Sequence, residues 1–149
     1  MSSRILVLDA NILIRAILGN KVRDLLITHR KAIDFFTPDS CWADAEKYLP
    51  LLFEKRKIPL KPALTLLSNL RSIIQIADEE IYKMYSKEAQ KRMENRDIED
   101  WPIAATALAL DCAIWTEDKD FFGSGFSTWT TDKVHIFFEK TKETKSNIT

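Results

Sequence analysis

The chain has 149 residues, 46% of them apolar and 30% charged, enough for one compact domain with a sizeable core. Its 22 basic side chains balance 22 acidic ones, which excludes the overall basic excess of a general nucleic-acid binder and leaves only local patches for such a role. No basic leader followed by an apolar stretch opens the chain and no apolar run is bilayer-long, so a cytoplasmic protein, neither secreted nor inserted in a membrane, is expected.

Ile5 to Leu8 is a short apolar run that ends abruptly in Asp9, the pattern of a buried parallel strand delivering a carboxylate at its C-terminal end. "ANILIRAILG" reads as a helix stopped by Gly19, "KVRDLLITH" as a second short helix, and "AIDFFTP" as a strand closed by Pro38. "DSCWADAEKYLPLLFEKRK" is helical in period, with Trp42, Ala45, Leu49, Leu52 and Phe53 on one side, and Pro50 is expected to kink or break it. "LKPALTLLSNLRS" carries Pro62 in a first helical turn, and "IIQIA" follows as a strand. "DEEIYKMYSKEAQKRME" begins with acids and ends with bases, as suits one helix and its dipole. "WPIAATALAL" is an almost wholly apolar helix, "CAIWTEDKDF" a strand ending in acids, and "STWTTDKVHIFF" a last strand. Residues 141–149 form a polar tail expected to lack structure.

Alternating strands and helices predict an α/β domain over residues 1–140, with a mostly parallel central sheet between helical layers. Ligands of such sheets gather at the strand C-terminal ends, which directs attention to Asp9, to Asp118 and Asp120, and to Asp97 and Asp100 before the apolar helix. Each has an ordinary reading. Asp100 can serve as the helix N-cap, Asp97 and Asp120 as turn residues, and Glu46 as a solvated side chain on an amphipathic helix. Taken together they are harder to dismiss, because carboxylates converging on one sheet edge repel one another unless a cation neutralises them. Oxygen-only ligands suit Mg²⁺ or Mn²⁺ rather than zinc, and a pair of such metals roughly 3.5–4 Å apart is a device for phosphodiester hydrolysis by water. Cys41 and Cys112 lack metal-type or redox-type spacing, and His29 and His135 are isolated, which disfavours a histidine base.

"ILVLDANILI", then Glu46 in a following helix, then "D-x-x-IAATAL-x-L" from Asp100 and "T-x-D-x-D-F" from Thr116 resemble, in this order, the PIN-domain family of metal-dependent nucleases over Arg4 to about Phe138. The resemblance implies a three-layer α/β/α fold and an acidic quartet of Asp9, Glu46, Asp100 and Asp118 that binds Mg²⁺ or Mn²⁺. It further implies Asp97 and Asp120 as auxiliary acids, with Asn11 and Thr116 as polar supports. Glu46 stands in a different local context from the family glutamate, leaving Asp44 and Asp39 as alternatives for its place. The expected activity is endoribonucleolytic hydrolysis leaving a 5′-phosphate and a 3′-hydroxyl. Expected partners are RNA, a small antitoxin protein as in VapC-type toxins, and a second copy in a homodimer. Lys87, Lys91, Arg92 and Arg96 are candidate contacts to the RNA backbone, with a solvated helix face as the alternative. The competing functional reading is a catalytically weak PIN fold that binds RNA or protein.

Overall fold

The computed structural model describes residues 4–139, so the polar tail expected at 141–149 lies outside the described residues. The strands β1 (Arg4–Leu8), β2 (Ile33–Pro38), β3 (Ile74–Ala77), β4 (Ala113–Trp115) and β5 (Thr128–Trp129) form one parallel sheet in the order β3-β2-β1-β4-β5. Leu6, Val7 and Leu8 of β1 and Ile114 and Trp115 of β4 are fully buried. Both faces of the sheet centre are therefore covered, which is why these strands read as continuous apolar runs.

Helices α1 (Ala10–Leu18), α2 (Lys21–His29), α3 (Asp39–Arg56) and α4 (Lys61–Leu70) form one layer, with α1 packed on α2, α3 and α4. The other layer comprises α5 (Glu79–Tyr82), α6 (Ser86–Met93) and α7 (Trp101–Leu110), where α7 lies across β1, β2 and β4 and packs on α5 and α6. The small side chains of Ala104, Ala105 and Ala107, all buried, let α7 approach the sheet closely. The result is the expected three-layer α/β fold.

Helix α3 runs unbroken through Pro50, against expectation. Proline loses its own N–H bond and its ring crowds the carbonyl of the preceding turn, but core contacts on both sides of it, from Trp42, Ala45 and Leu49 and then from Phe53, hold the helix in place. The acid-to-base helix is instead segmented, with a 3₁₀ turn at Lys83–Tyr85 between α5 and α6. The last expected strand shrinks to Thr128–Trp129, and residues 134–139 are helical. "VHIFF" satisfies both alternation and helical spacing, and burial of Val134, Phe137 and Phe138 selects the helical set. Phe138 then packs edge-on against Phe35 and Trp115.

The strand order reverses direction between β1 and β4, where the chain crosses from one side of the sheet to the other. In open α/β sheets that crevice is where ligands bind. Asp9 follows β1 there, and Thr116 follows β4 beside it.

Candidate metal centre

Asp9 is 4% exposed. It caps α1, its Oδ1 accepting from the Ile12 amide at 3.0 Å, while Oδ2 accepts from the Thr116 hydroxyl. Burial pushes its pKa up to about 6; the bonds from Thr116 and Ile12 oppose this, and the charges of Asp118 and Glu117 add to it. The Thr116 hydroxyl also accepts from the Asp118 amide at 2.9 Å, so one threonine fixes both the first acid's carboxylate and the backbone of the next. Asp118 Oδ1 in turn accepts from the Asp120 amide at 2.9 Å and opens a single 3₁₀ turn, Lys119–Phe121, anchored by the fully buried Phe121.

The second acid-bearing segment is built differently from the sequence reading. Asp97, not Asp100, provides the cap: its Oδ1 accepts from the Glu99 amide at 3.1 Å and starts a 3₁₀ turn, Ile98–Asp100, that leads directly into α7. Asp100 stands at the N-cap position of α7 yet makes no capping bond. Its side chain is released into the crevice instead. Oδ2 of Asp100 is buried and, among the described residues, has no hydrogen-bond partner. The Asp118 carboxyl beside it can satisfy Asp100 only by sharing a proton. Burial, that shared proton and the charges of Asp97, Asp118 and Asp9 together push the pKa of Asp100 up to about 8.

Carboxylate oxygens of Asp97, Asp100 and Asp120 all lie within 4.8 Å of one another. Asp100 therefore belongs to two overlapping groups, one with Asp97 and Asp120 and one with Asp9 and Asp118. Such a concentration of like charge needs either protons or a cation. The donors are all oxygens and one of them is orphaned, which fits a hard divalent ion; Asp97, Asp100 and Asp120, with Asp9 and Asp118 acting on Asp100, would hold it.

Glu46 is not brought to this group. It is exposed on α3 and faces α4 across a groove lined by Trp42, Pro50, Leu64, Leu67, Ser68 and Arg71. The alternatives lie nearer the crevice. Asp44 and Asp9 both act on the buried Cys41 thiol, whose pKa is raised by burial first and by their charges second. Asp39, the first residue of α3, accepts from the Tyr82 hydroxyl at 2.6 Å. Asn11 is exposed and makes no side-chain hydrogen bond among the described residues. Lys87 and Lys91 are solvent-exposed, whereas Arg92 and Arg96 are half-buried. His29 stacks on Phe138 and His135 is exposed, both outside the crevice. Sequence reasoning passed over Glu117, whose carboxylate accepts from the Thr131 amide at 2.6 Å and ties the crevice to the following segment; an acid inside "TEDKD" was its only signal.

The PIN domain family model matches residues 7–139. No curated protein matches the chain. Among solved structures, VapBC2 from Rickettsia felis bound to a DNA fragment from its promoter aligns with TM-score 0.63 at 19% identity, over 85% of this chain and 98% of that one. FitAcB from Neisseria gonorrhoeae aligns with TM-score 0.61 at 18% identity, over 85% and 97%. PAE2754 from Pyrobaculum aerophilum gives 0.62 at 16%, over 95% and 90%. The end of the first strand with its terminal aspartate, the apolar α7 behind Asp100 and the Thr116–Asp120 turn all fall within the matched span, and the chain belongs to the PIN-domain family.

Proposed function

We propose that the protein is a Mg²⁺- or Mn²⁺-dependent endoribonuclease and the toxin of a toxin–antitoxin pair. The observation that carries the reading is the orphaned, buried Oδ2 of Asp100 among the carboxylates of Asp9, Asp97, Asp118 and Asp120. Family membership supports nuclease chemistry, and the solved neighbours VapBC2, VapBC-1 and FitAcB support a small antitoxin partner. When bound, the metal supplies Lewis acidity for hydrolysis of a phosphodiester by water. The chain's own residues prepare that site. Thr116 orients the inner carboxylate of Asp9 and, by accepting from the Asp118 amide, sets the next acid beside it. Burial and the neighbouring acids hold Asp100 toward its protonated form, and a bound cation would take over the balancing of that charge. RNA is the substrate class, and exposed Lys87 and Lys91 are the free cations of α6 closest in sequence to the crevice. A homodimer belongs to the same reading; Leu51 and its neighbour Tyr48, each 59% exposed on α3, are candidate apolar contacts for it. Among the described residues no helix is long and apolar enough to cross a membrane.

Cleavage of single-stranded RNA in Mn²⁺ tests the proposal. Wild type should cut, and Asp9→Asn and Asp100→Asn should not, with circular dichroism unchanged. Equal cleavage by both variants would remove the assigned acids from the reaction; a wild type that binds RNA without cutting it would make the fold a binding module.

A further inference from the structure

The segment carrying Asp97 and Asp100 and the segment carrying Asp118 and Asp120 come from opposite sides of the crevice, and something must set their separation. Thr116 holds the second segment only at its start. Farther along, that segment turns through Gly123 and Gly125, whose φ angles of 81° and 92° are left-handed. A Cβ on Gly123 would lie 3.4 Å from Nη2 of Arg96, and one on Gly125 would lie 3.2 Å from Nη1 of Arg92. Positive φ and close approach thus coincide at both glycines.

Arg96 immediately precedes Asp97. Its Nη1 donates to the Arg92 carbonyl at 3.2 Å, which locks the guanidinium to the end of α6. Arg92 is itself fixed, with Nε on Glu88 at 3.1 Å and its guanidinium carbon 4.8 Å from the centre of the Phe126 ring. The guanidinium pair is therefore wedged between the two acid-bearing segments rather than projecting as a solvated basic face.

We propose that Arg96, backed by Arg92, is a positioning residue of the metal centre, latching the Gly123–Gly125 turn to the segment that begins at Asp97 and so setting the distance between Asp97/Asp100 and Asp118/Asp120. The inference rests on the metal-centre reading, and its sign separates it from simple electrostatics. A guanidinium near the acids repels a divalent cation, so if Arg96 acted only through its charge, its removal would tighten Mn²⁺ binding. A latch predicts the reverse.

The test titrates Mn²⁺ into wild type, Arg96→Ala, Gly123→Ala and Asp100→Asn by calorimetry, and follows amide hydrogen exchange in the same proteins without metal. Arg96→Ala should bind Mn²⁺ about tenfold more weakly, the loss expected on removing an outer support of a metal site. Gly123→Ala, which changes no charge but strains the turn at its left-handed φ, should also weaken binding. In the metal-free protein, Arg96→Ala should exchange the Asp120 and Phe122 amides roughly tenfold faster while β1 amides keep their protection. Unchanged exchange together with equal or tighter Mn²⁺ binding in Arg96→Ala would overturn the latch. Failure of the underlying reading looks different: wild type would not bind Mn²⁺, or Asp100→Asn would bind it as well as wild type, and the exchange comparison would then decide the latch by itself.

Discussion

At the carboxyl edge of the sheet, Asp9, Asp97, Asp100, Asp118 and Asp120 crowd a narrow crevice in which a buried carboxylate oxygen lacks a donor. At the amino edge, a cavity of about 770 Å³ opens between the start of β1 and the end of α7, lined by Arg4, Arg92, Asp111, Phe126, Trp129 and Phe137 among others. Its arginines are already engaged. Arg4 lies 3.9 Å from the Phe137 ring centre and donates to the Phe137 carbonyl, and Arg92 is committed to Glu88 and Phe126. The Cys112 thiol there is pushed up to about 12, by burial first and then by the Asp111 charge, which disfavours the nucleophilic thiolate. Room alone does not mark a functional site. Unbalanced charge held in place by buried hydrogen bonds is the stronger mark, because at neutral pH it calls for a proton or a cation to balance it.

The comparison breaks most sharply at Asp9 and Asp100. Asp9→Asn or Asp100→Asn should lower Mn²⁺-dependent RNA cleavage by about 10²–10³-fold, the usual loss of a preorganised electrostatic contact, whereas Asp111→Asn at the amino edge should leave the rate unchanged. Comparable losses at both edges would dissolve the distinction.

Stability should also divide the edges by pH. Asp9 and Asp100 titrate higher in the fold than in the unfolded chain, so between their unfolded and folded pKa values the native state holds protons that the unfolded state has released. Their contribution is complete below about pH 4. It is lost as pH rises through about 6 for Asp9 and about 8 for Asp100. For the buried Asp9 the loss is about 3 kcal/mol. Urea unfolding in chelator at pH 4 and pH 8 should show wild type losing that much more than Asp9→Asn, and Mn²⁺ should restore it. Parallel profiles for the two proteins would mean that Asp9 carries no strained charge.

A smaller effect sharpens the boundary of the crevice. Asp44→Asn should weaken Mn²⁺ binding severalfold, the effect of a lost charge near the ion, while Glu46→Gln, exposed against α4, should stay within about twofold. The opposite ranking would return Glu46 to the site. Smallest of all, Asp111→Gly should stabilise the fold by about 0.5 kcal/mol, since Asp111 ends α7 with φ at 49° in the left-handed region. Chemical denaturation measures it, and Mn²⁺ affinity should not move.

Much of the crevice was legible along the chain because the groups that build it are local. A strand ending in Asp9, a turn running Thr116–Asp118–Asp120 and an apolar helix behind Asp100 each announce themselves within about ten residues. The errors arose where two local patterns were equally good. Asp97 and Asp100 are both competent caps three residues apart, and the intervening 3₁₀ turn decided which of them bonds backbone and which faces the crevice. "VHIFF" fits strand and helix alike until Phe35 and Trp115 take Phe138 between them.

The sequence by itself determined the alternation of apolar strands and helices, the family and the acids that terminate strands, because periodicity and chain order encode these without reference to distant residues. Only the tertiary structure decided that Glu46 looks toward α4, that Asp100 keeps an unpartnered oxygen, and that Arg92 and Arg96 press on a glycine turn rather than into solvent. Side-chain direction on a helix or turn is set by what packs against it, and those neighbours come from far along the chain.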